Sequence, residues 1–258
     1  MQKWRLMIST LPFVAVLTAA KLGLDLGLSF SGVVEFSDVG IVLTAGVFLT
    51  GFMLAGTMAD YKEAEKIPGE LATTLETIEE LFVLASTGRP ALKLPELRRH
   101  VLALTEDIKA WTVKKKTTAE VFEAMSRMTQ VLTQLEKDGA GPYASRAAPQ
   151  VLMVRKNVQR MDVISRTGFL PPAYALLEVL LAMILGLVMV AKFKSVVAEC
   201  ILVPFVTLVN VYMVRLIKDI DDPFDYLPDG TKKGGAEVEL FPLDEYRARL
   251  AARLDQPT

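Results

Sequence analysis

The sequence predicts an all-α membrane protein, with four transmembrane helices and a cytoplasmic helical domain inserted between the second and third spans. Two observations favour this fold class. Four apolar runs approach or reach the roughly 20 residues that a helix needs to cross the hydrocarbon core of a bilayer. The long segment between the second and third runs is charged and has apolar residues at helical spacing, and no segment shows the alternation typical of strands.

The four apolar runs give the predicted spans in order. The second run has 21 residues without a charge, and the others contain few charged residues. The predicted spans are residues 6–20 with a continuation toward residue 34, then 39–59, 167–191 and 195–214. The charges that interrupt them are Lys21 and Asp25 in the continuation of the first span, Glu178 in the third and Glu199 near the start of the fourth. We expect Glu199, at a span edge, to reach the membrane interface.

The first apolar run has a second interpretation. Basic residues followed by an apolar stretch that ends in Thr18-Ala19-Ala20 also fit a cleaved signal peptide. We favour a retained span, because the apolar character persists past Ala20. Three remaining spans would also place the two ends of the chain on opposite sides of the membrane.

The segment between spans two and three predicts four amphipathic helices. Thr117 and Glu120 have the spacing of a capping box that opens the third of them, and the glycines around Gly139 close it. Apolar residues step by three or four through residues 71–82, 97–111, 122–132 and 151–161. We therefore divide the chain into spans one and two (1–59), a helical domain (60–166), spans three and four (167–215) and a C-terminal tail (216–258).

Composition excludes several classes of protein. The chain has 258 residues, 52% of them hydrophobic, with 29 basic and 30 acidic side chains. A nucleic-acid-binding protein would need an excess of basic charge. One cysteine and one histidine exclude a disulfide framework, a Cys/His metal cluster and most nucleophilic active sites. We predict that the chain is not an enzyme and binds no nucleic acid.

Basic residues beside the spans predict the orientation. Lys3 and Arg5 precede the first span and Arg215 follows the fourth, whereas the loop between spans one and two is mainly acidic. Under the positive-inside rule both termini and the helical domain lie in the cytoplasm. Lys192 and Lys194, in the loop between spans three and four, count against this orientation.

The second span holds the main candidate site. Thr44, Phe48 and Phe52 step by four along one face of the predicted helix. If several copies surround an axis, this stripe forms a hydrophobic constriction that gates by dewetting. The alternative is an apolar face toward lipid or other helices, and spacing does not decide between the two.

Carboxylates supply two further candidates. Glu178 lies inside the third span and either lines a pore or exchanges protons, or else pairs with a neighbouring helix. The acidic residues after the fourth span offer oxygen ligands to a hard cation such as calcium, or else cap a helix or are solvated, since their spacing is not that of a calcium-binding loop. These residues are Asp219, Asp221, Asp222 and Asp225.

Several short motifs, in order along the chain, resemble those of the bestrophin family of ion channels. They are Gly51-Phe52, Tyr61-Lys62-Glu63-Ala64-Glu65-Lys66, Pro171-x-x-Tyr174, Asp222-Pro223-Phe224 and Leu240-Phe241-Pro242-Leu243-Asp244. The sequence departs from the family at Glu65, where the family has arginine, and at Asp225, where it has glycine. The resemblance is therefore to a divergent, bestrophin-like branch.

The resemblance implies a bestrophin-like fold and a homopentameric channel with a central pore in a bacterial inner membrane. The family's gate, or neck, is a ring of apolar side chains from the second span, which the Gly-Phe motif assigns to Thr44, Phe48 and Phe52. Its partners would be other copies of the chain, membrane lipids and permeant inorganic ions, either chloride or cations. The acidic segment corresponds to a calcium clasp in animal members; no other cofactor is expected.

Two other functions compete with a channel. A non-conducting or energy-transducing scaffold of the motor-stator type has the same order of spans, but its Gly-Thr pairs in the third and fourth spans are missing here. A proton-coupled transporter would use Glu178, and its flux would then depend on this residue.

Overall fold

The chain is almost entirely helical in the computed structural model, which describes residues 4–27, 29–30, 32–89, 91–168 and 170–255. Among the described residues, four helices are long and apolar enough to cross a membrane, as the four predicted spans require. They are Arg5–Gly27 (α1), Phe36–Ala64 (α2), Pro171–Val190 (α7) and Val196–Asp221 (α8). The elements are α1 (Arg5–Gly27), β1 (Val34–Glu35), α2 (Phe36–Ala64), α3 (Ile67–Ser86), α4 (Leu94–Thr112), α5 (Thr118–Leu135), α6 (Gly141–Arg166), α7 (Pro171–Val190), β2 (Ala191–Lys192), α8 (Val196–Asp221) and α9 (Phe241–Asp255).

The chain divides into two compact units. The first, here called the transmembrane unit, comprises Met1–Asp60, Gly168–Asp222 and Gly234–Ala236. The second, here called the helical unit, comprises Tyr61–Thr167, Pro223–Lys233 and Glu237–Thr258. The C-terminal segment that we described from the sequence as a tail thus contributes mainly to the helical unit.

In the transmembrane unit α1 packs along α8, and α7 packs against α8. The carbonyl oxygen of Ser9 on α1 accepts a hydrogen bond of 2.6 Å from the Arg215 guanidinium on α8. At the other end of α1 and α8, β1 and β2 form a two-residue parallel pair in which Val34 lies opposite Ala191. This pair joins the α1–α2 connection to the α7–α8 connection.

The loop before β1 requires a glycine. Gly32 has a φ of +76°, and a Cβ built on it would lie 2.8 Å from backbone atoms of Ala191 and Lys192. Gly32→Ala therefore combines a strained backbone with a clash against atoms that cannot rotate away, which together should cost about 1–3 kcal/mol. We expect a lower Tm for this variant in detergent.

Gly23→Ala is the matched control for Gly32→Ala. A Cβ at Gly23, inside α1, meets nothing within 4 Å in the described part of the chain. Alanine is the better helix former, so we expect this variant to be neutral or slightly more stable. Equal Tm values for the two variants would contradict a requirement for glycine at position 32.

The helical unit confirms the four amphipathic helices that the spacing predicts, as α3 to α6. The apolar residues of α3 that step by three or four are fully buried; they are Leu71, Leu75, Ile78 and Phe82. The capping box of α5 is present, because Thr117 accepts from the Glu120 N–H while the Glu120 carboxylate accepts from the Thr117 N–H at 2.7 Å. A π-helical turn at Glu136–Ala140, with Gly139 at a φ of +81°, separates α5 from α6.

The helix α9 lies in the segment that the sequence predicts as a C-terminal tail. Leu243, Tyr246 and Leu250 step by three and four and are fully buried in the core of the helical unit. The Tyr246 hydroxyl donates a hydrogen bond of 3.2 Å to the carbonyl oxygen of Leu75 on α3. The C-terminal helix is thus part of the core of this unit.

A buried carboxylate connects three helices of the helical unit. The side chain of Glu79 on α3 is only 1% exposed and lies 2.9 Å from the Arg98 guanidinium of α4 and 2.5 Å from that of Arg253 on α9. Arg253 also pairs with Glu76 at 3.1 Å, as Arg249 does at 2.9 Å. Burial raises the pKa of Glu76, but hydrogen bonds from these two arginines outweigh burial and hold the pKa below its ordinary value of 4.5.

Candidate functional site

Helix α2 has one packed face within the transmembrane unit. Val39, Thr50, Met53 and Thr57 are buried along it. Met53 belongs to an apolar cluster with Leu177 of α7 and Val214 and Ile217 of α8. The hydroxyl groups of Thr50 and Thr57 donate to backbone carbonyls one turn earlier in α2, so this face presents no unsatisfied hydroxyl to its neighbours.

The candidate gate residues lie on the opposite, exposed face of α2. Phe48 is 77% exposed and Phe52 is 69% exposed, and Thr44 is exposed one turn before Phe48. The Thr44 hydroxyl donates a hydrogen bond of 2.8 Å to the Gly40 carbonyl. The structure therefore brings all three predicted residues to one unpacked face. A depression of about 550 Å³ lies along this face; it is lined by Ser37, Gly40, Ile41, Thr44, Ala45 and Phe48.

The exposed face of α2 differs in composition from the exposed faces of the other spans. On α7 and α8 the exposed large residues are bulky and apolar, as expected for surfaces that face lipid; they include Leu176, Val179, Met183, Val197, Ile201 and Phe205. On α2 most of the exposed or partly exposed residues around the phenylalanines are small or weakly polar; they include Ser37, Gly40, Thr44, Ala45, Gly51, Ala55 and Gly56. Two exposed residues of α2 are large and apolar as well: Ile41, on the same face as Phe48, and Val47. Small residues permit close approach of neighbouring helices, and they leave Ile41, Phe48 and Phe52 as protrusions.

Glu178 lies in the second turn of α7 and forms an ion pair. Its Oε1 is 2.6 Å from the Lys218 Nζ in the last turns of α8, and both side chains are about half exposed. Lys218 also lies 5.9 Å from the centre of the Tyr174 ring. Glu178 is thus paired with a neighbouring helix, although it is not buried, and a role of Glu178 in a pore or in proton exchange stays a prediction. An exposed pair of this kind contributes about 0–1 kcal/mol to stability.

Asp219 and Asp221 lie in the last turn of α8, and Asp222 and Asp225 follow it. The Asp219 carboxylate accepts a hydrogen bond of 3.1 Å from the Gly235 N–H, within the transmembrane unit. The Asp221 carboxylate lies so close to Gly168 that a Cβ added at Gly168 would be 2.4 Å from the Asp221 Oδ2. In the part of the chain that the structure describes, no three His, Cys, Asp or Glu side chains converge as a metal site. A role of Asp219, Asp221, Asp222 and Asp225 in calcium binding stays a prediction.

Asp225 is neutralised within the helical unit. Lys114 lies 2.6 Å and Lys233 2.8 Å from its carboxylate oxygens. Burial raises the pKa of Asp225, but the hydrogen bonds from the two lysines lower it by a larger amount. The pKa of Asp225 therefore lies below its usual value of 3.8. A carboxylate with two ammonium partners is a poor ligand for a further cation.

The chain resembles solved membrane-protein structures over nearly its whole length. The crystal structure of a bacterial bestrophin homologue from Klebsiella pneumoniae superposes with a TM-score of 0.75 at 13% sequence identity, covering 98% of this chain and 100% of that one. The chain has the bestrophin fold. A variant of the same bestrophin homologue gives a TM-score of 0.76 at 12% identity, covering 98% and 99% of the two chains.

A further structure, described as a membrane protein, gives a TM-score of 0.78 at 11% identity, with 98% of this bestrophin-like chain and 99% of the other covered. No protein-family model matches the sequence, and no curated protein does. The bestrophin fold at so low an identity agrees with the divergent branch that the motifs indicate.

One cluster of charged residues was missed by the sequence analysis. Glu199 does not reach the interface as expected; it is 4% exposed and turns inward, toward Lys21 and Asp25. Those two residues do not end α1, which continues to Gly27. Their i, i+4 spacing within an apolar run indicates an intrahelical ion pair, but the approach of Glu199 from α8 leaves no local signal in the sequence.

Proposed function

We propose that this chain is the subunit of an oligomeric, pentameric ion channel in which α2 lines the pore and Phe48 and Phe52 form the gate. One observation carries the proposal: an unpacked α2 face of mostly small and weakly polar residues, from which Ile41 and two highly exposed phenylalanines project. The bestrophin fold supports it, because the solved structures that share this fold include bacterial bestrophin homologues.

The proposed gate works by dewetting. Ten phenyl rings, two from each of five copies, would surround the axis with apolar surface and exclude the water that an ion needs around it. Rotation or separation of the α2 helices would widen the ring and admit water. Because the Thr44 hydroxyl is engaged by the Gly40 carbonyl, Thr44 adds little polarity to the constriction.

The proposal extends to the membrane. The excess of basic residues beside the first and fourth spans favours both termini in the cytoplasm. The helical unit would then lie in the cytoplasm, and the membrane would be a bacterial inner membrane. The formal net charge of −1 favours neither anions nor cations as the permeant species.

Purified protein in planar bilayers under asymmetric salt tests the proposal. We expect discrete single-channel currents, and the sign of the reversal potential identifies the charge of the permeant ion. Mass photometry of the detergent-solubilised protein should give the mass of five copies. A pentamer without current would contradict the channel and favour a non-conducting scaffold.

Glu178→Gln distinguishes the channel from a proton-coupled transporter. Glu178 is paired with Lys218 and lies on α7, whereas the proposed gate lies on α2. We therefore expect the variant to keep its current and the pH dependence of that current. Lys218→Met, which removes the other member of the pair, is the matched control and should behave alike. Loss of a pH-driven flux in Glu178→Gln would support the transporter instead.

A further inference from the structure

We propose that Lys21 is a positioning residue of the gate: its buried ammonium group anchors the chain directly before α2, so that α2 moves about its fixed first residue when the gate opens. This inference rests on the proposed function and adds to it the fixed point of the moving helix. Lys21 lies on α1 and takes no part in the α2 stripe itself. All the contacts that carry the inference lie within the transmembrane unit, at the end where β1 pairs with β2.

The Lys21 ammonium lies in a closed set of contacts, here called the Lys21 cage, formed by Asp25, Phe30, Phe193 and the carbonyl group of Ala191. The lysine side chain is fully buried, and its Nζ lies 2.8 Å from the Asp25 Oδ1. The centres of the Phe30 and Phe193 rings lie 5.8 Å and 5.7 Å from Nζ, within the range of cation–π contacts. Burial of an ammonium group is costly unless it is well paired, so the cage holds this side chain in one position.

The same ammonium group binds the end of α7. Its Nζ donates a hydrogen bond of 3.0 Å to the carbonyl oxygen of Ala191, the residue that directly follows α7. Carbonyl groups at a helix C-terminus lack intrahelical partners and carry partial negative charge, so an ammonium group is favoured there. Lys21 thus ties α1 to the connection between α7 and α8.

Ala191 passes this restraint to the chain directly before α2. In the parallel pair, Val34 of β1 lies opposite Ala191 of β2. The Val33 N–H donates a hydrogen bond of 2.9 Å to the Val190 carbonyl oxygen beside it. Helix α2 begins at Phe36, directly after β1. The backbone that enters α2 is therefore paired with the residue that Lys21 holds.

An aromatic contact ties the first residue of α2 to the same cage. The centres of the Phe36 and Phe193 rings are 5.0 Å apart, with an angle of 32° between the ring planes. This distance is favourable for two aromatic rings. Because Phe193 also faces the Lys21 ammonium, one side chain contacts both the cage and the start of α2.

The anchored end determines how α2 can move. Phe48 and Phe52 lie about 18 Å and 24 Å along the helix from Phe36, at 1.5 Å per residue. The packing of Met53 against α7 and α8 is apolar and non-directional, so it permits small sliding movements farther along the helix. The rings of the gate then separate by movement of α2 about Phe36. Without the anchor, α2 also samples positions in which the rings do not meet, and this loss disfavours the closed state.

Single-channel recording of Lys21→Met tests the anchor. Methionine keeps an unbranched side chain but removes the charge and the hydrogen bond to Ala191. We expect the open probability to rise about threefold or more, as for other changes along a coupled network. The unitary conductance and the reversal potential should stay those of the wild type, because Phe48 and Phe52 are unchanged.

Arg215→Met is the matched control. Arg215 also ties α8 to α1, by its hydrogen bond of 2.6 Å to the Ser9 carbonyl oxygen, but at the opposite end of these helices. The control should gate like the wild type. An open probability that is unchanged in Lys21→Met, or that changes equally in both variants, would overturn the anchor and leave the channel in place. A wild-type protein without current would instead overturn the proposed function.

Hydrogen–deuterium exchange of the full-length protein in detergent supplies a second readout that does not depend on conduction. The hydrogen bond from the Val33 N–H to Val190 protects this amide from exchange. We expect residues 33–36 to exchange faster in Lys21→Met and at the wild-type rate in Arg215→Met. If Lys21→Met does not fold, Phe193→Leu, which removes the ring shared by Lys21 and Phe36, should raise both this exchange and the open probability. Unchanged exchange of residues 33–36 in the variant that folds would overturn the anchor.

Discussion

Phe48→Ala combined with Phe52→Ala should raise the open probability of the reconstituted channel about tenfold or more, which is about 1.4 kcal/mol or more in the gating equilibrium. The two rings are the largest exposed side chains on the proposed pore face, at 77% and 69% exposure. Alanine at both positions removes the apolar surface that excludes water, so the closed state loses its barrier. Single-channel recording in planar bilayers measures this directly.

Phe205→Ala is the matched control for the gate. Phe205 is also an exposed phenylalanine, at 63%, but it lies among bulky apolar residues on α8. We expect the open probability of the Phe205→Ala channel to equal that of the wild type. Unchanged gating in the double variant, or equal changes in the double variant and the control, would remove Phe48 and Phe52 as the gate while leaving the channel itself in place.

Glu79→Gln should strongly destabilise the helical unit, by about 3–5 kcal/mol. The glutamine keeps the size of the side chain but removes the buried negative charge that faces the guanidinium groups of Arg98 and Arg253. Since α3, α4 and α9 meet at this carboxylate, we also expect α9 to become more accessible. Circular dichroism during thermal unfolding and limited proteolysis near the C-terminus measure the two effects.

Glu80→Gln is the control for Glu79→Gln. Glu80 is the next residue of α3 and is exposed, so its replacement should change the free energy of unfolding by less than about 0.5 kcal/mol. Comparable destabilisation by the two variants would show that net charge, and not the buried pairing with Arg98 and Arg253, controls the stability of the unit.

The sequence predicts the helices of this protein well because their signals are local. Uncharged runs of 20 residues and apolar residues at steps of three and four depend on neighbours within a few turns, and so does the Thr117–Glu120 capping box. The same reasoning finds the stripe of Thr44, Phe48 and Phe52, since an i, i+4 spacing places residues on one face whatever surrounds the helix.

The features that the sequence does not predict depend on residues far apart in the chain. Spacing alone does not indicate whether the α2 stripe is packed; the buried positions of Met53 and its neighbours on the opposite face give that answer. Glu178 has its partner, Lys218, 40 residues away, and Glu199 meets Asp25 from another helix. For α9 the local signal is the spacing of Leu243, Tyr246 and Leu250 by three and four residues. Charged residues fill most of the positions between them, so the apolar pattern is weak.

The contact between α1 and α8 can form only late in synthesis. Lys21 and Ala191 are 170 residues apart in the chain, so the ribosome has released α1 long before α8 can meet it. Until then the Lys21 ammonium has only Asp25, one helical turn away, as a charged partner. Asp25 thus pairs with the Lys21 ammonium while α1 is newly synthesised, and the same ion pair is present in the folded protein.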